Sequence, residues 1–267
     1  MAADALERRD IALVAAHNPG PFTLAGTNTW VIGRDPCWIV DPGPALGDHV
    51  AAVTAEARRR GGVAGIAVTH DHGDHAGATQ AVRDAAGGPP VGAARWDGAD
   101  VRLADGDGFG PLRVVATPGH ATDHLAFVAG DACFTGDAVL AQSSVFVAPD
   151  RGALRGYLAA LERLLELDLA LLCTGHGPPV TDPAALLHRY ITHRRDRERR
   201  LVAALDAGLR GTDELLDRVW GDAPASLRLA AMATLAAHLD KLEEDGGLPA
   251  GVQRPPWPPP GGLRPVV

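Results

Sequence analysis

The sequence predicts an α/β fold of layered sheets and helices, with a small helical appendage at its C-terminal end. Short apolar runs typical of strands alternate with stretches of helical spacing over residues 1–182, which is the pattern of a layered α/β domain. From there to residue 247 only helical spacing remains. Residues 248–267 are too rich in proline to form a helix or a strand, so we expect an extended or disordered tail there.

The individual elements follow from turn residues and apolar spacing. Gly, Pro and Asp bound the apolar runs, and the alanine- and leucine-rich stretches between them have the spacing of helices. The predicted strands cover 29–33, 37–43, 65–70, 112–119, 124–137 (a hairpin) and 169–177. The predicted helices cover 46–60, 76–86 and 157–167, and those of the appendage cover 184–209, 213–220 and 226–242.

Composition limits the classes of protein to which the chain can belong. Hydrophobic residues make up 46% of the 267 residues, as in ordinary globular proteins, and the net charge of -8 gives nucleic acid no global attraction. No apolar run has the length of a membrane span, and the N-terminus lacks the apolar core of a signal peptide, so we expect a cytoplasmic protein. Cys37, Cys133 and Cys173 form no CxxC pair, which predicts buried free thiols in a reducing compartment.

The densest group of polar residues follows the strand predicted over 65–70. The loop THDHGDHAG places His70, His72, Asp74 and His75 within six residues. Imidazole nitrogens and carboxylate oxygens are ligands for zinc, and also for iron or manganese. Four such ligands exceed the three that a catalytic zinc takes from protein, so the loop predicts two ions that share it.

Three later loops offer further ligands, again directly after predicted strands. TPGH ends in His120, FTGD ends in Asp137, and CTGHG contains His176. A glycine precedes each of these residues and allows the backbone to turn sharply toward the ions. Because loops at strand ends present side chains on a rigid scaffold, we expect all seven side chains to converge.

Together these motifs resemble those of the metallo-β-lactamase-fold hydrolases, with their HxHxDH loop and later His, Asp and His. The chain is similar in particular to the lactamase-beta-like protein 2 family, whose N-terminal segment resembles NPGPFTLAGTNTWVIG at 18–33 and whose late helix resembles YITHRRDRE at 190–198. The resemblance covers roughly residues 15–247. It implies a four-layer αββα metallo-β-lactamase sandwich with a small C-terminal helical, winged-helix-like appendage.

The resemblance also implies a role for each ligand. It assigns the first zinc to His70, His72 and His120. It assigns the second zinc to Asp74, His75 and His176, with Asp137 as a bridge between the ions. Asp74 has a catalytic role as well, because it can orient the nucleophile and relay a proton.

Other polar residues near these loops are interpreted as supporting groups. Asp41, at the end of a predicted strand, is expected to orient a ligand histidine, and His124 is expected to support the site or the fold. Ala121 stands where many relatives have threonine after PGH, which loosens the hydrogen bonding around the site but removes no ligand. We assign no role to His17, His49, His188, His193 and His238.

Two neighbouring cations predict hydrolysis, because a metal-bound hydroxide can attack a carbonyl or a phosphorus. Several enzymes with related loops fit less well. Class B1 lactamases use a cysteine where Asp137 stands, and flavodiiron oxygen reductases carry glutamate where His72 stands. Glyoxalase II is similar in the metal loops, but its glutathione-binding residues have no evident counterpart after residue 182.

The appendage leaves two substrate classes open. Its arginine-rich helix is either a solvated face or an edge that contacts the phosphates of single-stranded RNA, and relatives in the family include both an RNA-cutting enzyme and thioesterases. Aromatic residues total only 4%, which offers no evident platform for stacking bases. We therefore favour a hydrolase that cleaves a thioester, or a lactone or other ester, of a small acyl substrate. The alternatives are a zinc-dependent endoribonuclease and a non-catalytic, metal-bearing nucleic-acid-binding module. The arginines are Arg189, Arg194, Arg195, Arg197, Arg199 and Arg200.

Overall fold

Two mixed β-sheets form the middle of the molecule in the computed structural model, which describes residues 2–142 and 144–256. In this part of the chain the first sheet has six strands and the second has five. The first sheet contains, in spatial order, β1 (Ile11–Ala15), β2 (Asn28–Ile32), β3 (Cys37–Val40), β4 (Val63–Ala67), β5 (Val91–Ala93) and β6 (Val101–Arg102). The second contains β11 (Leu171–Thr174), β10 (Ala132–Gly136), β9 (Leu125–Ala129), β8 (Leu112–Ala116) and β7 (Gly108–Phe109).

Helices lie outside the sheets and at the C-terminal end. The helices of the larger domain are α1 (Ala2–Glu7), α2 (Gly47–Arg59), α3 (Gly73–Ala76), α4 (Thr79–Ala85) and α5 (Ala153–Leu165). They are followed by α6 (Pro183–Asp206), α7 (Thr212–Trp220), a 3₁₀ turn (Ala225–Leu227) and α8 (Arg228–Glu244). None of the helices within residues 2–142 and 144–256 is long and apolar enough to cross a membrane.

The two sheets pack face to face because each presents apolar side chains on its inner face. Successive residues of a strand point to opposite faces, and apolar residues occupy both. In β2, Trp30 and Ile32 point into the core between the sheets, whereas Val31 points to the opposite face. In β9, Phe127 contributes to the inner core and Val128 to the outer one. Strands that are buried on both faces require a further layer on each side.

Helices supply those outer layers. Helices α2 and α4 cover the first sheet with apolar side chains such as Val53 and Val82. Helix α5 and the first half of α6 cover the second sheet with residues such as Leu161 and Leu187. The predicted four-layer αββα sandwich is therefore confirmed.

The C-terminal helices build a core of their own. Leu205 at the end of α6 packs with Leu215 of α7 and with Leu235 and Leu239 of α8. Helix α6 thus belongs to both cores, and Asp182 caps its first turn by accepting a hydrogen bond from the backbone N–H of Ala185. The boundary near residue 182 stays a prediction.

The chain after α8 follows the appendage without forming a helix or strand within residues 248–256. Leu248 and Val252 pack against the C-terminal core, and the backbone N–H of Gln253 donates to the carbonyl of Arg210 at 2.8 Å. The rest of the predicted proline-rich tail, residues 257–267, lies outside the described residues. The three cysteines are free and buried, as predicted.

Two details of the predicted elements are wrong. The helix predicted over 76–86 begins later, as α4, and the short helix α3 before it was not predicted, so Asp74 and His75 lie on a helical turn rather than in a loop. The arginine-rich part of α6 is not one solvated face, because Arg194 and Arg197 are buried. They share the inner face of α6 with Tyr190 at helical spacing, and this face packs against the rest of the protein.

We predict that Leu235→Ala lowers the free energy of unfolding by about 2–5 kcal/mol, because Leu235 is 0% exposed and its truncation leaves a cavity in the C-terminal core. Leu229, on the same helix, is 41% exposed, so Leu229→Ala is the matched control and changes stability by less than about 0.5 kcal/mol. Urea unfolding followed by circular dichroism measures both. Equal losses in the two variants would contradict the assigned core.

Candidate metal centre

The metal ligands predicted from the sequence meet at one end of the sandwich. His70 and His72 follow β4, His120 follows β8, and Asp137 and His176 follow β10 and β11. The C-terminal ends of these strands lie at the same end of the sandwich, so the loops after them face one another. The structure brings together all seven predicted side chains in overlapping groups of three.

The first group consists of three imidazoles. The Nε2 atoms of His70 and His120 lie 3.0 and 3.1 Å from Nδ1 of His72. Three ring nitrogens that converge at these separations occupy positions suited to three ligands of a tetrahedral cation. We call His70, His72 and His120 the three-histidine set.

The second group mixes imidazole and carboxylate. Oδ2 of Asp74 lies 3.5 Å from Nε2 of His75 and 3.4 Å from Nε2 of His176. We call Asp74, His75 and His176 the mixed set. Its nitrogen and oxygen donors are those that zinc, iron and manganese accept.

Asp137 lies between the two sets. Its Oδ1 is 3.5 Å from Nε2 of His75 and 3.4 Å from Nε2 of His176. Its Oδ2 is 3.6 Å from Nε2 of His120. One carboxylate oxygen therefore faces each set, which is the arrangement needed to bridge two cations.

Buried polar atoms in this cluster fit a bound cation. Within the described part of the chain, Nε2 of His75 and Oδ1 of Asp137 are buried and have no hydrogen-bond partner. Native proteins rarely leave such atoms unpaired. Gly175 preserves the space around them, since a Cβ there would lie 2.5 Å from Oδ1 of Asp137.

The two sets have opposite electrostatic character. Burial, which disfavours the charged ring, lowers the pKa of His120 to about 4 and holds that of His70 well below its ordinary value. Burial also opposes protonation of His75 and His176, but Asp137 and the neighbouring carboxylates outweigh it and raise the two pKa values to about 9 and about 10. Without metal the three-histidine set is neutral and the mixed set holds protons.

Asp41 orients His75, as the sequence predicts. Its Oδ2 lies 2.9 Å from Nδ1 of His75, and Thr69 donates to Asp41 from its backbone N–H and its hydroxyl, each at 2.8 Å. Asp41 has a φ of 53°, an uncommon conformation for a residue other than glycine. This backbone conformation is held at the site itself, as is frequent where a side chain must be fixed in place.

His124 supports Asp137 from the opposite side. The backbone N–H of Asp137 donates to Nε2 of His124 at 3.0 Å, and Nδ1 of His124 lies 2.8 Å from the hydroxyl of Thr117. Gly136 precedes Asp137 with a φ of 44°, and a Cβ there would lie 2.5 Å from the hydroxyl of Thr69. A side chain at position 136 would therefore displace the ligand loops.

The segment before β2 makes contacts with the cluster that were not predicted from the sequence. Nδ1 of His176 lies 3.1 Å from the carbonyl of Gly26, and the hydroxyl of Thr27 donates to Oδ2 of Asp74 at 3.2 Å. The motif NPGPFTLAGTNTWVIG contains both residues. Nothing in its composition reveals that it borders the metal loops, because the contact depends on how the sheets pack.

An open cleft with two lobes lies over the cluster. The metal lobe, a cavity of about 390 Å³, is lined by His72, Asp74 and His176. The helical lobe, a cavity of about 410 Å³, extends to residues of α6 and α8 such as Arg194 and Ala231. The residues that line both lobes are Phe22, His120, Asp137, Phe146 and Ala230.

Comparison with known proteins gives this architecture a family. The family profile described as the metallo-beta-lactamase superfamily matches residues 22–107 and 92–176, which include all seven predicted ligands. The chain belongs to the metallo-beta-lactamase superfamily. The profile of the beta-lactamase associated winged helix domain matches residues 212–247, within the appendage of this superfamily member.

Curated relatives cover most of the chain. The beta-lactamase-like protein 2 homolog of Caenorhabditis elegans is 31% identical over 254 residues, which span 88% of this chain and 85% of that protein. The atrochrysone carboxyl ACP thioesterase of Aspergillus chevalieri is 33% identical over 210 residues, spanning 73% of this chain and 65% of that protein. The predicted resemblance to the lactamase-beta-like protein 2 family is confirmed, and the chain is a hydrolase of the metallo-beta-lactamase superfamily.

Solved structures agree on the fold. A metallo-beta-lactamase family protein from Thermus thermophilus has a TM-score of 0.71 at 24% identity, over 88% of this chain and 94% of its own. The protein TTHA1623, solved in a di-iron-bound form, has a TM-score of 0.53 at 26% identity, over 67% of this chain and 98% of its own. The first likeness supports the fold over both the sandwich and the appendage.

We predict that a second equivalent of divalent metal releases protons on binding, whereas the first releases few. His75 and His176 have raised pKa values, so they are protonated near neutral pH and each must lose a proton to bind a cation. The three-histidine set has lowered pKa values and is already neutral. Affinity for the second equivalent therefore rises with pH until these two groups have titrated.

Titration calorimetry of metal-free protein in buffers of different ionisation enthalpy measures the proton release for each equivalent. Repeating the titration at several pH values gives the pH dependence of each step. Equal proton release in both steps, or an affinity for the second equivalent that does not change with pH, would contradict the assignment.

We also predict that Asp41→Asn weakens the second metal site by about 10–100-fold, because it removes the charge that orients His75. Asparagine tolerates a positive φ, so the backbone at position 41 is retained. Asp48→Asn, an exposed change on α2, is the control. Metal content after dialysis against a weak chelator distinguishes the variants, and two retained ions in Asp41→Asn would refute the role.

Proposed function

We propose that the chain is a dinuclear zinc hydrolase that cleaves a thioester, or a lactone or other ester, of a small acyl substrate. Asp137 carries this proposal, because its two carboxylate oxygens face the two ligand sets separately. In this proposal the three-histidine set holds one ion and the mixed set holds the other. Asp137, with one oxygen toward each set, would be shared by both ions.

When bound, the two cations supply Lewis acidity, which makes water a nucleophile near neutral pH and stabilises negative charge on the substrate oxygen. The residues around them fix the geometry. Asp74 lines the metal lobe, and its pKa is lowered to about 2 because His75 and His176 outweigh the opposing effect of burial. Its ionised carboxylate can accept a hydrogen bond from the attacking water and orient it toward the carbonyl.

Zinc is the metal that best suits these donors, because imidazoles and carboxylates with no thiolate are typical of hydrolytic zinc sites. Iron and manganese accept the same ligands. The di-iron form of TTHA1623 shows that a protein of similar fold can hold iron. Metal analysis of protein purified without added metal tests the proposal, which requires two ions per chain.

The walls of the cleft support an acyl substrate. Phe22, Phe146 and Ala230 present apolar surface directly beside the ligand sets. Apolar walls with a few convergent polar groups are typical of small-molecule sites. A relative that is an ACP thioesterase adds support for a thioester.

The arrangement of arginines gives the single-stranded RNA alternative little support. Arg195 pairs with Glu162 at 2.6 Å, and Arg199 and Arg200 pair with Asp196 at 3.1 and 3.0 Å. Cations that are already paired attract phosphate less strongly. No specific observation favours the non-catalytic module either.

We keep a cytoplasmic location as part of the proposal, because the three thiols are free and buried, as is typical of a reducing compartment.

We predict that Asp137→Ala abolishes turnover of acyl thioesters while the chain stays folded, because the variant loses the bridge between the two sets. Asp168→Ala, which removes an exposed carboxylate outside the cleft, is the control and keeps wild-type activity. A panel of acyl thioesters and labelled single-stranded RNA are assayed in parallel, with circular dichroism as the test of folding.

The outcomes of this assay separate the alternatives. Thioester hydrolysis lost only in Asp137→Ala supports the proposal. Activity confined to RNA would replace it with the endoribonuclease, and RNA binding without turnover of any substrate would favour the non-catalytic module. Undiminished thioester hydrolysis by Asp137→Ala would refute the bridging role.

A further inference from the structure

The helical lobe is lined by charged side chains of α6 that the proposed chemistry does not use. His120 and Asp137 of the metal cluster line this lobe together with Arg194 and Arg197 on α6. Apolar residues, among them Val145 and Leu227, line the same cavity. A ligand in this lobe would therefore extend from the metal centre along apolar walls to the arginines.

Arg194 is buried without a carboxylate partner. It is 2% exposed, and among residues 2–142 and 144–256 no acidic side chain forms an ion pair with it. Its Nη2 donates to the carbonyl of Val145 and lies 3.4 Å from the hydroxyl of Ser144, while the guanidinium carbon is 5.4 Å from the centre of the Tyr157 ring. Its Nε has no hydrogen-bond partner in the described part of the chain.

Arg197 provides the internal comparison, because it is one helical turn away and lines the same lobe. It is 7% exposed, but its guanidinium forms two hydrogen bonds with the carboxylate of Asp222, at 2.7 and 3.0 Å. Of the two buried arginines that line this lobe, the protein therefore neutralises Arg197 and leaves Arg194 with carbonyl, hydroxyl and aromatic contacts only.

An uncompensated buried charge is costly, and buried charges in proteins are normally paired. His193, which also lines the lobe, does not compensate Arg194. Burial and the two neighbouring arginines lower the pKa of His193 to about 4, so its ring is neutral. The missing counter-charge can come from a ligand that enters the lobe.

We propose that Arg194 is a specificity-determining residue that recognises a carboxylate on the acyl group of the substrate, where α6 lines the helical lobe. This inference rests on the proposed thioester or ester hydrolysis and narrows its substrate class to half-esters or half-thioesters of dicarboxylic acids. The acyl chain lies along the apolar walls of the helical lobe. The leaving group occupies the metal lobe.

A carboxylate fits this position better than an RNA phosphate. One buried guanidinium without a carboxylate partner, in a cavity with apolar walls, suits one terminal anion, and its planar shape matches a carboxylate. An RNA backbone carries a charge at every nucleotide and requires a row of accessible cations. The metal lobe contains Asp123 and Asp150, which disfavour a second anionic group on the leaving side.

The proposed hydrolysis needs no reactant other than the thioester and water. Water forms a C–O bond to the carbonyl carbon, the C–S bond breaks, and the thiol leaves with a proton from that water. The product is a dicarboxylate. The reaction needs neither an oxidant nor a reductant.

The test compares thioesters that differ only at the remote end. N-acetylcysteamine thioesters of dicarboxylic acids from succinic to suberic are compared with their half-amides, in which a neutral amide replaces the carboxylate. A carboxylate pairs with the buried charge of Arg194, whereas a neutral amide leaves that charge unpaired. We therefore expect the zinc-loaded wild-type protein to prefer at least one acid over its half-amide by about tenfold or more in kcat/KM. Arg194→Gln lowers that ratio toward one.

Two further variants separate recognition from folding. Arg195→Gln removes an adjacent but exposed arginine and keeps the wild-type ratio. If Arg194→Gln fails to fold, Arg194→Lys replaces it, because lysine keeps the positive charge. We expect the acid-to-amide ratio of Arg194→Lys to lie between that of the wild-type protein and one. A merely structural role for Arg194 would lower kcat/KM for acids and amides alike, and an unchanged ratio in a folded variant would overturn the proposal.

Binding of the free products gives a second readout that does not depend on turnover. Calorimetry of the zinc-loaded protein measures dicarboxylates against monocarboxylates of equal chain length, and the dicarboxylate is expected to bind more tightly only when Arg194 is present. If no thioester is hydrolysed but this difference persists, the proposed function fails and the carboxylate site stands. If thioesters are hydrolysed without preference and the products bind equally, the carboxylate site fails and the proposed function stands.

Discussion

The arrangement of this molecule depends on one electrostatic constraint, the crowding of basic nitrogens and carboxylate oxygens at the end of a sandwich. Ring nitrogens of His70, His72 and His120 converge, and buried atoms of His75 and Asp137 lack hydrogen-bond partners in the described part of the chain. Positive charge at its centre, as protons on the mixed set or as metal ions, would offset the negative charge of the carboxylates. The sheets, the glycines before the ligands and the support from Asp41 and His124 all serve to hold these groups together.

Much of the fold and the cluster could be predicted because each strand carries its own signal. Apolar runs bounded by turn residues predicted the hairpin of β9 and β10 and the short strand β4, and the ligands follow those strands directly. Strands β1, β5, β6 and β7 were not predicted. They are short or lie at sheet edges, so tertiary pairing rather than local sequence determines them.

The contacts that complete the site could not be predicted, since they join residues far apart in the chain. Thr27 meets Asp74, and Gly26 meets His176, only because the segment before β2 crosses the edge of the second sheet. The same reason explains the arginine-rich stretch of α6. Composition indicates a charged helix, but only the packing of α6 between two cores separates buried Arg194 from exposed Arg195.

Helix α6 has a consequence for how such proteins diversify. It begins in the layer that covers the second sheet and ends in the core of the appendage, and on the way it lines the cleft beside ligands contributed by entirely different loops. In the proposed function, the groups for the reaction and the groups that select the substrate therefore lie on separate stretches of the chain. Evolution can exchange the residues of one while the other stays intact, and a single catalytic framework can serve many metabolites.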